Sequence, residues 1–196
     1  MRRIELGEGA YLELTDHWLE RTAADLALAA LHREVDWQAR AIRIFGREVM
    51  QPRLVSWVGD AEAAYTYSGV LHHPAPWTPT LAALRARLQS ELGIPFNSVL
   101  CNLYRDGRDS MGMHSDSEPE LGPSPQVASI SLGAPRRFML RHRRGPSFGK
   151  LDLMLEHGSL LLMRGTTQHV YKHGMAKVST QVEPRINLTF RVVQKA

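Results

Sequence analysis

The sequence predicts a mostly β fold of the α+β class, a sandwich or jelly roll with packed helices. At 196 residues and 43% hydrophobic content, the chain is long enough for one well-buried core and short for two. From residue 98 onward, short apolar runs are separated by Gly, Pro and Ser breaks, a pattern typical of antiparallel sheets rather than βαβ units. We expect a single domain, 1–196, in which an N-terminal extension (1–97) precedes the β core (98–196).

Two helices are predicted within the extension. The first begins after a cap at Thr15 or Asp16 and ends near Glu34. Its apolar positions recur at helical spacing and are Leu19, Leu26 and Ala30. The second has Thr78 as its N-cap, with Pro79 in the first helical position, and it ends at Gly93. Its apolar stripe consists of Leu81, Leu84, Leu88 and Leu92.

The strands are predicted from extended apolar runs and turn residues. Between the helices, Ala41 to Phe45 and Val49 to Trp57 form a hairpin that turns at Gly46. The later strands are Ser98–Tyr104, Val127–Leu132, Arg137–His142, Leu151–Leu155, Ser159–Met163, Val170–His173 and Arg185–Val193. So many short strands in about a hundred residues favour two packed sheets.

The charge is unevenly distributed along the chain. Residues 1–100 hold 10 Lys/Arg against 12 Asp/Glu and residues 101–196 hold 14 against 8, so the halves carry −2 and +6. Five arginines form a cluster for which we expect a solvated face, with contact to phosphates as the alternative: Arg136, Arg137, Arg141, Arg143 and Arg144. The single cysteine and the lack of an apolar segment that could span a membrane or serve as a secretion signal favour the cytoplasm, or the nucleus of a eukaryote. We also expect a monomer.

A metal site is indicated by His114 and Asp116, which lie two residues apart. On an extended segment both side chains project to the same side, where one ion can bind them. A strand near His173 offers a third ligand, and His169 is the alternative. Two His and one carboxylate leave open positions on the metal, as in non-haem Fe(II) oxygenases. The alternative is a surface histidine followed by a turn aspartate.

A second pattern is the alternating strand from Arg185 to Arg191. Its polar face consists of Arg185, Asn187, Thr189 and Arg191, and its apolar face of Ile186, Leu188 and Phe190. The two arginines are about 20 Å apart along the strand, at about 3.3 Å per residue, and if both side chains lean inward the remaining gap suits a short dicarboxylate. Because guanidinium pairs bidentately with carboxylate, this face is suited to a short dicarboxylate such as 2-oxoglutarate. The alternative is an edge strand whose polar side faces water.

The sequence resembles the AlkB family of Fe(II) and 2-oxoglutarate dependent dioxygenases. The resemblance rests on three motifs that follow one another along the chain: the His-x-Asp pair, the distal His and Arg-x-Asn-x-Thr-x-Arg. Further matching segments are Asn102–Tyr104, Ala128–Gly133, His157–Leu161 and Tyr65–Gly69. The resemblance covers most of the chain and implies a double-stranded β-helix (jelly roll) with an N-terminal nucleotide-recognition extension. The chain departs from the common pattern at Leu103, where many relatives have arginine. It also lacks a proline after the distal histidine, which predicts a looser loop at 174–176.

The resemblance also assigns roles to individual residues. His114, Asp116 and His173 would bind iron. Arg185, with Asn187 and Tyr104, would bind the distal carboxylate of 2-oxoglutarate, and Arg191 with Asn102 would bind the carboxylate next to the keto group. Which arginine binds which carboxylate is left open. The cofactors implied are Fe(II), 2-oxoglutarate and O2.

The implied reaction is oxidative demethylation of N-alkylated bases, such as 1-methyladenine and 3-methylcytosine, in DNA or RNA. By the same resemblance, Tyr67 and His114 would sandwich the extruded base, Tyr65 and Glu118 would contact its polar edge, and Phe45 would fill the gap in a duplex. For Phe45, Tyr65 and Tyr67 the alternative is ordinary core packing. The alternative functions are an Fe(II)/2-oxoglutarate hydroxylase of a protein, lipid or small molecule, and a catalytically silent nucleic-acid binding module.

Overall fold

The structure is a computed structural model that describes residues 1–44, 46–63, 65–67 and 70–194, with the backbone alone described for 42–44, 65–67 and 70–72. Its helices are α1 (Arg21–Glu34), α2 (Pro79–Leu92) and the short α3 (Thr167–Val170). Its strands are β1 (Arg2–Gly7), β2 (Ala10–Thr15), β3 (Gln38–Ile44), β4 (Arg47–Gly59), β5 (Tyr65–Tyr67), β6 (Val70–His72), β7 (Ser98–Tyr104), β8 (Met111–His114), β9 (Val127–Gly133), β10 (Arg136–His142), β11 (Lys150–Leu155), β12 (Ser159–Gly165), β13 (Tyr171–Met175) and β14 (Arg185–Arg191).

Most of these strands belong to two antiparallel sheets, which confirms the prediction of a mostly β fold. The large sheet has the order β1-β2-β12-β9-β14-β7-β4-β3, and the small sheet has the order β11-β10-β13-β8. A separate hairpin is formed by β5 and β6. Strands from residues 1–97 therefore form both edges of the large sheet. In the described part of the chain, no helix has the length and apolar character needed to cross a membrane.

The core is divided by the large sheet into two layers. On one side, α1 and α2 pack against the sheet through Leu31 and Leu88, which join a cluster containing Ile130 and Leu188. On the other side, residues of β2 and β12 pack against Leu140 and its neighbours in the small sheet. The fold is thus a layer of helices, a large sheet and a small sheet, with the space between the two sheets available for a site.

The second helix agrees with its prediction. Thr78 is the N-cap, and its hydroxyl accepts a hydrogen bond from the Leu81 backbone N–H at 3.4 Å. Pro79 is in the first turn, and Gly93 ends the helix with φ +68°, a conformation that costs glycine little. Leu81, Leu84 and Leu88 are buried as the stripe requires.

The first helix begins later than predicted. Thr15 is not its cap, because this residue ends β2 and pairs with Leu160 of the large sheet. The helix instead begins at Arg21, after Glu20, without a side-chain cap. Leu26 is 68% exposed, and the buried face consists of Ala24, Ala27 and Leu31. The strands β1 and β2 were not predicted, since charged residues interrupt their apolar positions.

Two segments near the predicted site also differ from expectation. Val170 ends the helical turn α3, so the strand carrying His173 begins one residue later. Gly174 and Met175 do not form a looser loop, because they continue β13 and pair with β10 and β8. A Cβ atom on Gly174 would lie 2.9 Å from the Met111 carbonyl oxygen, so this close approach of strands requires glycine.

Candidate active site

Three side chains that the sequence marks as metal ligands lie together between the sheets. His114 ends β8 and is directly opposite His173 of β13, while Asp116 follows β8. Their candidate ligand atoms all lie within 4.8 Å of one another. The Asp116 carboxylate is 3.8 Å from His114 Nε2 and 3.9 Å from His173 Nε2. These distances leave space for one ion between the three groups.

The protonation states of these groups suit metal binding. Burial lowers the pKa of His173 to about 3, so its imidazole is neutral and keeps a lone pair for a metal. Burial alone would raise the pKa of Asp116, but the nearby guanidinium of Arg191, which also donates a hydrogen bond to the carboxylate, holds it below its usual value. The carboxylate is therefore ionised, and its buried Oδ2 has no hydrogen-bond partner among the described residues. An unpaired buried carboxylate oxygen beside two imidazoles fits a divalent cation.

The alternative third ligand, His169, lies outside this group. It is exposed in α3, and its Nε2 is 2.8 Å from the Pro123 carbonyl oxygen. The helical turn directs residue 169 away from the strand that carries His173. The geometry thus brings His173 to the other two residues and leaves His169 at the surface.

Asp116 is held by two residues that are distant in sequence. Arg191 Nη2 donates to Asp116 Oδ1 at 2.7 Å, and the Asp116 backbone N–H donates to Oε1 of Gln168 at 2.9 Å. The Gln168 side chain is 0% exposed, and its Nε2 faces the Met163 sulfur at 3.4 Å. Asp116 lies beyond the end of β8, where no backbone hydrogen bonds of a β ladder fix its position. The side chains of Arg191 and Gln168 fix it instead. Sequence reasoning missed Gln168, because a lone glutamine has no pattern that marks its contact.

The segment between the two ligands is also tethered. Arg143 Nη2 donates a hydrogen bond to Ser115 Oγ and, at 3.4 Å, to the Gln168 carbonyl oxygen. This arginine was predicted to lie on a solvated face, and it does remain exposed. The prediction fails for Arg136, which is 2% exposed and donates to the carbonyl oxygens of Asp109 and Ala176. Its burial follows from its place in β10, where residues of even number point between the sheets.

The strand β14 lies in the middle of the large sheet. It pairs with β7 on one side and β9 on the other, so the edge-strand alternative is wrong. Arg185 is 0% exposed and donates to Ser131 Oγ at 2.7 Å and to the Leu155 carbonyl oxygen at 3.1 Å. Burial lowers its pKa to about 10, which still leaves the guanidinium charged at neutral pH. Nε of both Arg185 and Arg191 is buried without a hydrogen-bond partner in the described part of the chain.

The surroundings of Arg185 concentrate positive charge. Tyr104 is directly opposite Arg185, and the Arg136 guanidinium carbon is 5.8 Å from the Tyr104 ring centre. Burial raises the pKa of Tyr104, and the arginines at 53, 185 and 136 oppose that rise. A buried region with several guanidinium groups is suited to an anion. Neither Arg53 nor Arg136 was predicted to be part of it, since each lies in a segment without a recognisable motif.

The polar partners of the two arginines are placed by the register of the sheet. Asn102 is directly opposite Asn187, in the row two residues from Arg185. Its Oδ1 accepts from Arg53 Nε at 2.7 Å, whereas no contact with Arg191 occurs among the described residues. Leu103 is buried in the cluster on the helix side of the sheet, so its side chain points away from those of Asn102 and Tyr104, as expected.

The structure describes the predicted base-binding residues only in part. Phe45 lies outside the described residues, and for Tyr65 and Tyr67 the backbone alone, in β5, is described. Glu118 is half-buried two residues after Asp116, at the start of a 3-10 turn, and its Oε2 is buried without a hydrogen-bond partner in the described regions. A second unpaired carboxylate oxygen thus lies close in sequence to the candidate metal ligands His114 and Asp116.

Comparison with known proteins identifies the family. The sequence profile of the 2OG-Fe(II) oxygenase superfamily matches residues 12–191, which includes the His-Asp-His group and both arginines of β14. The chain belongs to this superfamily. Membership implies Fe(II) as the metal and 2-oxoglutarate and O2 as cosubstrates, and it agrees with the expected jelly roll.

Within the superfamily, the chain is similar to AlkB proteins, which confirms the resemblance found in the sequence. It is 42% identical over 178 residues to human alpha-ketoglutarate-dependent dioxygenase alkB homolog 3, covering 87% of this chain and 62% of that protein. It is 38% identical over 182 residues to human DNA oxidative demethylase ALKBH2, covering 88% and 70%. The chain therefore spans less than two thirds of the first relative's length.

A solved structure shows the same fold. The structure of OsALKBH1 superposes with a TM-score of 0.62 at 15% sequence identity, covering 96% of this chain and 100% of that one. At this identity the likeness establishes the architecture alone. The two chains therefore share their overall fold.

Proposed function

We propose that the chain is an Fe(II) and 2-oxoglutarate dependent dioxygenase that removes methyl groups from N-alkylated bases of DNA, with RNA as the alternative strand. The observation that carries the proposal is the buried His-Asp-His group on one side of β14, whose two arginines lie in the same space between the sheets. Two AlkB relatives are named as a dioxygenase and as a DNA oxidative demethylase, which favours this substrate over a protein, lipid or small molecule.

The metal would be held by His114, Asp116 and His173. The neutral imidazole of His173 and the ionised carboxylate of Asp116 are the forms that bind Fe(II), and three ligands on one face leave positions for cosubstrates. When bound, iron supplies the oxidation of an N-methyl group by O2, with 2-oxoglutarate converted to succinate and CO2 and the methyl carbon released as formaldehyde. Arg191 and Gln168 hold Asp116 in place for this role.

The two carboxylates of 2-oxoglutarate would be bound along β14. Arg185, with Asn187 and Tyr104, is assigned to the distal carboxylate, because its guanidinium is fully buried and its Nε has no hydrogen-bond partner in the described part of the chain. Arg191, with Asn102, is assigned to the carboxylate next to the keto group, since Arg191 already contacts the ligand Asp116. Burial in this positively charged region excludes water from the bound anion and strengthens its attraction to both guanidinium groups.

The damaged base would be extruded from the strand and held over the iron. We assign its faces to Tyr67 and His114, its polar edge to Tyr65 and Glu118, and the gap in a duplex to Phe45. The half-buried carboxylate of Glu118, whose Oε2 has no hydrogen-bond partner among the described residues, supports this assignment, because 1-methyladenine and 3-methylcytosine are cationic near neutral pH. All of these residues belong to one chain, so a monomer would be sufficient for catalysis. We place this monomer in the cytoplasm or nucleus.

The test is release of formaldehyde and succinate from oligonucleotides containing 3-methylcytosine, in the presence of Fe(II) and 2-oxoglutarate. Single-stranded DNA, duplex DNA and RNA of the same sequence are compared. We expect one formaldehyde for each succinate, and neither product with the His173→Ala variant. Succinate formation without formaldehyde from any of the three substrates would contradict the proposed substrate class while leaving the oxygenase assignment in place.

A further inference from the structure

The outer face of the small sheet carries a row of cations. In this sheet, Leu140 and the residues paired with it point between the sheets, whereas Arg141 and its neighbours point outward. Arg141 of β10 is directly opposite Lys150 of β11 on one side and directly opposite Lys172 of β13 on the other. Both lysines are exposed. We call this row of Arg141, Lys150 and Lys172 the cationic row.

The cationic row is unfavourable for the fold itself. Like charges directly opposite one another on neighbouring strands destabilise a sheet, where opposite charges would stabilise it. The four strands of the small sheet, all of whose residues the structure describes, contain one acidic residue, Asp152. Asp152 forms ion pairs with Arg141 at 2.5 Å and Arg137 at 3.9 Å, and neither lysine forms an ion pair with any described residue. Lys172 thus has no ion-pair partner among the described residues, and Lys150 shares the single carboxylate of Asp152 with two arginines.

The cationic row is adjacent to the metal ligands. Lys172 immediately precedes His173, and the two side chains point to opposite faces of β13. The next strand, β8, is the edge of the small sheet and ends at His114. Arg143, which follows β10, donates a hydrogen bond to Ser115 Oγ between the two ligands. An extended ligand that leaves the site over β8 therefore passes Lys172 on β13 and then Lys150 on β11. The distance from β8 to β11 is three strand spacings, about 14 Å.

We propose that the cationic row binds phosphate groups of the nucleic acid that flanks the base under repair, an inference that rests on the proposed function. A phosphate backbone is the partner of matching chemistry, because it is a regular array of negative charges that enters the site as part of the substrate. Binding would relieve the repulsion between neighbouring cations and release counterions condensed on the nucleic acid. The role is one of positioning, since a contact to phosphate carries no information about the base.

The test is a pair of matched double variants. Lys150→Gln/Lys172→Gln removes two charges from the cationic row, and Arg21→Gln/Arg33→Gln removes two exposed charges from α1, on the opposite side of the large sheet. Binding of an unmodified duplex of about two helical turns is measured by fluorescence anisotropy over a range of salt concentrations. For the lysine variant, we expect the slope of log K against log salt to become shallower by about 2. The arginine variant should keep the wild-type slope.

Substrate length distinguishes this proposal from the proposed function. A methylated trinucleotide can reach Lys172 but is too short to reach Lys150, so its kcat/KM should fall less in the lysine variant than the kcat/KM for a methylated duplex. The melting temperature should be equal or higher, because repulsion is removed. A wild-type salt slope in the lysine variant would overturn the proposal. Binding to anionic vesicles is measured as well, and if the lysine variant lost binding to vesicles but not to the duplex, the cationic row would be a lipid-binding surface instead. Absence of turnover in the wild-type protein would instead count against the proposed function.

Discussion

Replacing Gln168 by leucine tests whether the position of a metal ligand depends on one buried amide. Leucine has nearly the same volume as glutamine but offers no acceptor to the Asp116 backbone N–H, which Oε1 of Gln168 accepts at 2.9 Å. Because Gln168 is fully buried, water cannot replace the lost oxygen without a rearrangement. The Asp116 segment is therefore expected to shift away from its position between the two imidazoles.

The magnitude follows from the cost of the unpaired N–H. Leaving a buried donor without a partner costs about 1–3 kcal/mol. At about 1.4 kcal/mol for each factor of ten, this corresponds to about 5- to 150-fold if the whole cost falls on the metal-bound state. Changes to residues that support metal ligands typically reduce metal affinity by about 10- to 100-fold. We expect a loss in metal affinity within this range and a smaller loss in kcat at saturating metal.

The assay is titration with Mn(II), with free ion followed by electron paramagnetic resonance, so that no turnover is required. Met163→Leu is the matched control, because it removes the sulfur that faces Nε2 of Gln168 at 3.4 Å and leaves the bond to Asp116 in place. This volume-conserving change should cost less than about 1.5 kcal/mol in stability and leave Mn(II) affinity unchanged. Wild-type affinity in Gln168→Leu, or an equal loss in both variants, would refute the reasoning.

Three further predictions concern the ligands and the substrates. His114→Ala should abolish turnover with little change in melting temperature. Asp116→Ala should also abolish turnover, and it should lower the free energy of unfolding by about 3–5 kcal/mol, because the guanidinium of Arg191 loses its carboxylate partner. Arg185→Lys should raise the KM for 2-oxoglutarate at least tenfold while Mn(II) affinity is retained, since an ammonium group cannot form a planar two-bond contact with a carboxylate; an unchanged KM would remove Arg185 from the cosubstrate site. Phe45→Ala should reduce repair of a methylated duplex much more than repair of the same lesion in single-stranded DNA, and equal losses on the two substrates would indicate a core residue.

Much of the fold and the grouping of His114, Asp116 and His173 could be predicted from the sequence, because the signals are local. The N-cap at Thr78 and the glycine at position 93 define α2, since capping depends on residues within one turn. The alternation from Arg185 to Arg191 predicts a strand with one polar face, since side chains alternate regardless of neighbours. The spacing of His114 and Asp116 likewise predicts that both reach the same ion.

The tertiary structure alone decided which distant residues support that site. Gln168 meets Asp116 across 52 positions and Arg191 meets it across 75, distances at which neither periodicity nor capping carries information. Burial of Arg136 and exposure of Leu26 were missed for the same reason, because each depends on how a strand or helix is oriented against its neighbours. Local sequence thus determines the elements and the motif residues. The register of the sheets determines which side chains meet, because a shift of one residue moves every side chain of a strand to the opposite face.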